Sequence, residues 1–375
     1  MRILLITNMI GPYRCPLFNL INEASNTTFK VVVLVEKEAN REWRFSKEKI
    51  NFDYTILPGI HKFIWSKEIA IHLNWGLWRE LRICKPEVII TSGYNTFAYW
   101  QAFLYCKLFK KKYVLWNGTT LLSCGKKDGF LGQMKRVIIK GADRYIAYGK
   151  KAAEYLVFMG AQKEQIHVSI NTVDMQWFRN RTKESCESKF LEKERDKYPE
   201  FLLLYIGRLV DGKGVVKVLT AFSNLAESNI GLMIVGSGPQ EQKLKQFCQD
   251  KGLKNIYFRG FQQQDSLPRY YALADVLILP TFKEVWGLVV NEALASGLYV
   301  LCSDRAGAAY DLINEGWNGA LFDCDNVEEI ANLILRAKDN VENIRARRKA
   351  ISEHACREFS VERSAKAFME AVAAV

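Results

Sequence analysis

Short, almost wholly apolar runs recur along this chain, and after most of them apolar residues return every three or four positions. The first pattern predicts buried parallel strands and the second predicts the helices that cover them. In the first half the strands are expected at 2–7, 29–35, 87–91, 112–116, 143–147 and 165–169. In the second half they are expected at 201–206, 231–235, 255–259, 275–279, 299–302 and 319–322. Residues 36–86 follow neither period and yield no assignment. Between the halves, 179–200 is polar and mixed in charge, which predicts a linker. The expectation is an α/β protein with two Rossmann-like, doubly wound parallel-sheet domains facing a cleft, at 1–178 and 201–360. A final amphipathic helix in 361–375 carries Ala365, Phe368, Met369 and Val372 at helical spacing.

The strand-to-helix turns hold the candidate chemistry. After the strand at 275–279, Glu284 falls in a loop, and Glu292 falls inside a helix that runs from about Gly287 to a glycine cap at Gly297. First-turn amides around Gly287, Leu288 and Val289 have no helical acceptor and form an anion site beyond the strand's carboxyl end. A carboxylate one turn further in accepts hydrogen bonds from vicinal hydroxyls, the outline of a nucleotide-sugar site. The turn after 201–206 reads Gly207-Arg208-Leu-Val-Asp211-Gly212-Lys213-Gly214. It approaches a Walker A loop, but Gly214 replaces the hydroxyl that would ligate magnesium, so Arg208 and Lys213 read as diphosphate holders. Asn8-Met-Ile-Gly11-Pro12-Tyr13-Arg14 is a third such turn, with proline opening a helix. It lacks the full dinucleotide-binding glycine spacing.

Composition narrows the class further. The 375 residues are 49% hydrophobic and 25% charged, enough for two cores. Nine cysteines never fall closer than 18 residues, so no zinc-ribbon spacing exists and they read as reduced thiols. No apolar run approaches a spanning helix, and the opening strand is too short for a signal segment. The chain is therefore expected in the cytoplasm, peripheral on the inner face of the membrane. Asp323-Cys-Asp325 offers a D-x-D pattern, but Asp325 followed by Glu328 reads as a helix cap. His61, His72, His167 and His354 lack metal-ligand spacing, so no metal is expected. Charge is uneven: residues 1–190 carry 30 Lys+Arg against 16 Asp+Glu, whereas 191–375 carry 23 against 25. Lys107, Lys110, Lys111 and Lys112 follow an aromatic segment. Lys126, Lys127, Lys135, Arg136 and Lys140 flank Phe130, Leu131, Val137, Ile138 and Ile139, a pattern suited to an anionic membrane surface.

Five segments in order, G-R-L-V-D-G-K-G (207–214), I-V-G-S-G-P (234–239), F-R-G-F (258–261), Y-A-L-A-D-V-L-I-L-P-T (271–281) and E-V-W-G-L-V-V-N-E-A-L-A-S-G (284–297), resemble the retaining glycosyltransferases of family 4, with their E-x7-E motif. The first domain matches only in its strand pattern, its opening glycine loop and Asn171-Thr-Val-Asp174. The resemblance implies the GT-B fold, with the acceptor on the first domain, the nucleotide sugar on the second, and a last helix crossing back. Carried over, Arg208, Lys213 and Glu284 would be catalytic. The donor would be held by Gly11, Arg208, Lys213, Gly260, Phe261, Glu284, Gly287, Leu288, Val289 and Glu292, with Glu292 on the ribose and Glu284 on the sugar. Tyr13, Arg14 and Asn117 would lie on the acceptor side. Many members carry histidine where this chain has Asn117, and an amide accepts no proton.

The resulting expectation is a retaining, metal-independent hexosyltransferase without a cofactor. Its donor is a UDP- or GDP-linked sugar, and its acceptor is a glycan or a polyprenyl-diphosphate-linked glycan of cell-surface polysaccharide synthesis. A nucleotide-sugar epimerase of the same fold is the near alternative. A non-catalytic nucleotide- or nucleic-acid-binding module is the distant one, suggested by a pI near 9.1. No nucleic-acid motif supports it, and no nucleic-acid partner is expected.

Overall fold

The structure, a computed structural model, describes all residues except 25–26, 40, 44–46, 65–68, 125–128 and 226–228. It divides into two compact units, Met1–Asn171 with Val361–Val375, and Thr172–Ser360.

The first unit contains β1 (Arg2–Thr7), β2 (Thr28–Val33), β3 (Asp53–Ile56), β4 (Gly59–Ile64), β5 (Ile69–Asn74), β6 (Val88–Thr91), β7 (Lys112–Asn117), β8 (Arg144–Ala147) and β9 (Ile166–Val168). Seven of these form a parallel sheet in the order β3-β2-β1-β6-β7-β8-β9, while β4 and β5 pair as a separate antiparallel hairpin. Strand order reverses between β1 and β6, so the carboxyl ends of those strands border the position where open α/β sheets bind ligands. The apolar runs form strands because helices bury both faces. Leu4 and Ile6 point into one core, and Ile3 and Leu5 into the other. The helix Val361–Ala373 closes the second core through Phe368, Ala371 and Val372. Phe368 meets Trp116 edge-on at 5.3 Å, and Ser364 bonds Ser169 and the Ile170 carbonyl.

The second unit repeats the plan with β10 (Phe201–Ile206), β11 (Ile230–Val235), β12 (Ile256–Phe258), β13 (Val276–Leu279), β14 (Tyr299–Ser303) and β15 (Gly319–Phe322). Its described strand pairings are parallel, in the order β12-β11-β10-β13-β14-β15, and the reversal lies between β10 and β13. At the amino end of these two strands the buried Asp275 carboxylate accepts from the Leu202 amide at 3.0 Å and from Arg345 at 2.9 Å.

Two expectations change, and one unassigned stretch resolves into elements. The stretch 179–200 is largely helical, not an open linker. Asp174 caps the helix Met175–Cys186 by accepting from the Trp177 amide, and Phe178 packs edge-on against Tyr271 at 6.0 Å. The helix Lys189–Arg195 follows. The charged residues that suggested a linker are the solvent face of a helix buried on one side. The unassigned 36–86 holds β3, the β4–β5 hairpin and the helix Leu77–Cys84. The hairpin exposes Ile60 and Leu73, so its alternation did not mark a buried face. Finally, Ile138 and Ile139 are fully buried core residues of the helix Gly129–Lys140, not part of an apolar surface. Among the described side chains of that run, only Val137 is exposed. Lys126 and Lys127 lie outside the described residues, as do the side chains of Phe130 and Leu131.

Candidate functional site

The turns leaving β10 and β13 meet at the strand reversal of the second unit. Beyond β10, one helical turn, Asp211–Lys213, ends at Gly214, whose φ is +66°. A Cβ there would lie 2.0 Å from the Pro280 carbonyl oxygen, so only glycine allows the two turns to approach. The Gly212 carbonyl accepts from the Phe282 amide at 3.0 Å and from the Thr281 hydroxyl at 3.1 Å. Across this junction the Lys213 ammonium pairs with the Glu284 carboxylate, both side chains being mostly shielded. The Tyr205 hydroxyl donates to the Arg208 carbonyl at 2.9 Å, which pins the start of the same turn. Lys213 and Glu284 are thus brought into direct contact, although the sequence assigned them to different parts of one ligand.

The helix after Glu284 spans Leu288–Ala295, with Gly287 as its N-cap at φ +100°. Its first-turn amides, including Leu288 and Val289, have no acceptor within the helix. One turn on, Glu292 is half-buried and accepts from the Tyr271 hydroxyl at 2.6 Å. Burial pushes the Glu292 carboxyl up to about 7, against the opposing pull of that hydrogen bond. Tyr271 itself is fully enclosed, and burial followed by the neighbouring carboxylate raises its hydroxyl well above the ordinary value. The sequence contained Tyr271 within a recognised segment but gave no sign that it faces Glu292, 21 residues away. Beyond β12, the Gly260 carbonyl accepts from the Gly236 amide at 2.8 Å. Gly260 has φ +63° and open space where a side chain would stand, and Phe261 follows it, half-buried.

Asp323, Cys324 and Asp325 bring potential ligand atoms within 4.8 Å of one another. Arg305 reaches both carboxylates, at 3.2 and 2.5 Å, and holds Asp325 below the usual carboxylate range. The helix cap lies one residue later than expected. Asn326, not Asp325, accepts from the amide three residues on, at Glu329. A surface cleft of about 750 Å³ lies at the opposite, amino end of β10 and β13, lined by Arg195, Asp275, Arg345 and Arg348. Its arginines are engaged with Asp275 and with backbone carbonyls.

In the first unit, Gly11 turns the chain beyond β1, and Tyr13 and Arg14 follow at the start of the helix Cys15–Glu23. Arg14 stacks on Trp116 and Tyr148, two aromatic residues the sequence did not connect with it. Asn117, at the end of β7, is buried and locally engaged. Its amide nitrogen donates to the Thr119 carbonyl at 3.1 Å, and its oxygen accepts from the Thr119 amide at 3.3 Å. A second polar group was missed altogether. His72 packs against His61, with 3.2 Å between Nδ1 atoms, and its Nε2 lies 3.4 Å from Glu38 without hydrogen-bond alignment. Burial, then His72, lowers the pKa of His61. Glu38 and His72 lie in the unassigned stretch, 34 positions apart, and no sequence signal joins them.

Comparison with known proteins extends the likeness beyond these motifs. Residues 187–355 match the family model described as glycosyl transferases group 1. An uncharacterised glycosyltransferase of Methanocaldococcus jannaschii is 33% identical over 134 residues, 35% of this chain and 34% of its own length. A GDP-mannose-dependent alpha-mannosyltransferase of Corynebacterium glutamicum is 36% identical over 125 residues, 33% of this chain and 28% of its own. The matched segment therefore spans about a third or less of these curated relatives. Anabaena HepE, solved in complex with UDP, covers 100% of both chains with a TM-score of 0.77 at 16% identity. The fold is GT-B, with two parallel-sheet α/β domains.

Glu292 gives this site a measurable pH signature. Between the ordinary carboxyl value of 4.5 and about 7, folded Glu292 keeps a proton that the unfolded chain has released. Stability should therefore fall as pH rises through that window and level off above it, by about 3 kcal/mol for a shift of this size. Glu292→Gln removes the titration. Denaturant unfolding at pH 5 and pH 8 should show the variant gaining on the wild type as pH rises, and an identical pH response in both proteins would contradict the buried carboxyl.

Proposed function

We propose that this protein is a retaining glycosyltransferase that moves a sugar from a UDP- or GDP-linked donor to a glycan or lipid-linked acceptor of surface polysaccharide synthesis. The observation that carries the reading is the junction at the β10–β13 reversal, where Lys213 and Glu284 stand beside the open amides of the helix Leu288–Ala295. A diphosphate is recognised there by charge from Lys213 and Arg208 and by backbone donors. Its arrival gives Lys213 a second anion and frees Glu284 to accept from the hydroxyls of the transferred sugar. Glu292, one helical turn further in, receives the ribose hydroxyls. The UDP held by Anabaena HepE and the GDP-mannose of the Corynebacterium relative favour these two bases.

In this reading Lys213 and Arg208 neutralise charge developing on the leaving diphosphate, so the step rests on electrostatics and positioning and needs no metal. The attacking hydroxyl enters on the face from which the diphosphate leaves, which keeps the anomeric configuration. Asn117 has both amide groups engaged by Thr119 and serves as a rigid turn, not as a proton acceptor. Two carboxylates with different partners predict separable losses. By calorimetry in EDTA, Glu292→Ala should weaken both the free nucleoside diphosphate and the nucleotide sugar. Glu284→Ala should weaken the nucleotide sugar and slow transfer while leaving the free diphosphate nearly unchanged. Equal losses for the free diphosphate would sink the assignment, and a manganese requirement for transfer would overturn the metal-free mechanism.

The first unit is further proposed to rest on an anionic membrane. Lys107, Lys110 and Lys112 are exposed beside exposed Leu104, Leu108 and Phe109, at the end of the helix Phe97–Leu108, the turn after it and the start of β7. Each such charge contributes on the order of 1 kcal/mol near an anionic leaflet. Sedimentation with anionic vesicles should carry the protein down at low salt, less so at high salt, and less so once Lys107, Lys110 and Lys112 are glutamine. Protein that stays in the supernatant at low salt would make a soluble acceptor the better reading.

A further inference from the structure

Arg14 is a half-buried cation held by aromatic faces. Its guanidinium carbon lies 4.1 Å from the Trp116 ring centroid, 4.9 Å from Tyr148 and 5.4 Å from Tyr13, and it donates to the Tyr148 hydroxyl. Among the described residues no carboxylate pairs with it. Arg345 and Arg305, also half-buried, are filled by carboxylates, the first by Asp275 and Glu342 with the Glu200 carbonyl and the second by Asp323 and Asp325, whereas Arg259 is held like Arg14, over Tyr198 and Tyr257 with a bond to the Tyr198 hydroxyl. A guanidinium has five N–H donors in one plane, and stacking on rings satisfies its faces while leaving the edge for acceptors. One hydroxyl fills one of those donors.

Placement points the same way. Arg14 is the N-cap of the helix Cys15–Glu23 but makes no side-chain cap bond, so its side chain has no role in closing the helix. Trp116 belongs to β7, Tyr148 follows β8, and the Gly11 turn follows β1, which puts the cage at the carboxyl edge of the first sheet. The Trp116 ring is itself fixed, buried to 1% exposure and packed between Phe18 and Phe368 at 6.1 and 5.3 Å. The cation is therefore held in place before any ligand arrives.

We propose that Arg14 recognises a phosphate group carried by the acceptor, so that the first unit selects phosphorylated acceptors. This rests on the glycosyltransferase reading above for the word acceptor, but the phosphate site itself does not. The rival source of the same chemistry is the donor's own diphosphate. The experiment titrates inorganic phosphate by calorimetry into the full-length protein saturated with whichever of UDP or GDP binds it, comparing wild type, Arg14→Gln and Arg14→Lys. Wild type should bind phosphate saturably. Arg14→Gln should lose at least about tenfold in phosphate affinity, and Arg14→Lys, which keeps charge but not the planar fork, should recover only part of it. Nucleoside diphosphate affinity should stay within about twofold in both variants, with wild-type melting temperature as the check on folding. Equal phosphate binding in wild type and Arg14→Gln, or none saturable in wild type, overturns the proposal. A matching loss of nucleoside diphosphate affinity also overturns it, because the phosphate is then the donor's. If neither nucleotide binds any form of the protein, the transferase reading fails, while phosphate titrated alone still reads the Arg14 site.

Discussion

The ion pair between Lys213 and Glu284 joins two turns that lie 71 residues apart in sequence. It works only because the backbones already touch. Gly214 admits the Pro280 carbonyl, and the Gly212 carbonyl takes two donors from the opposing turn. A shielded lysine and a shielded glutamate are each costly alone, and pairing offsets much of that cost. The pair therefore fixes the Lys213 side chain against Glu284 at the junction of the two turns. That property suits a site in which a negatively charged leaving group forms and departs.

The same strand order explains why both units place chemistry at one edge. In each sheet the first strand sits centrally, with its neighbours leaving on opposite sides, and the turns diverge to leave an open crevice. The second unit fills its edge with lysine, carboxylates and helix amides. The first unit fills its edge with an arginine on aromatic rings, a polar turn at Asn117, and the Glu38–His72–His61 group. The excess of basic residues in 1–190 thus includes both surface lysines and a half-buried cation, Arg14, held on aromatic rings at the carboxyl edge of the first sheet.

Much of this was legible in the sequence for physical reasons. Strands buried on both faces, such as Phe-Leu-Leu-Leu-Tyr-Ile in β10, read as continuous apolar runs, and glycine marked the turns whose φ is positive at Gly214, Gly287 and Gly297. What was lost depended on side chains meeting across the fold. No local pattern reports that Tyr271 bonds Glu292, that Trp116 carries Arg14, or that Glu38 approaches His72. Polar composition misled at 179–200, because a helix with one buried face and many charges resembles a linker until Phe178 is seen packing on Tyr271. Apolar composition misled at Ile138 and Ile139, where neighbouring lysines suggested an exposed face that is in fact core.

The central claim is that a nucleoside diphosphate sits at the β10–β13 junction. Backbone hydrogen exchange with and without UDP or GDP tests it most directly, because the claim concerns specific amides. One of the two nucleotides should protect 207–214 and the first turn of the helix Leu288–Ala295, and this protection should vanish in Lys213→Ala. Protection confined to other segments, or the same protection in Lys213→Ala, would contradict the account.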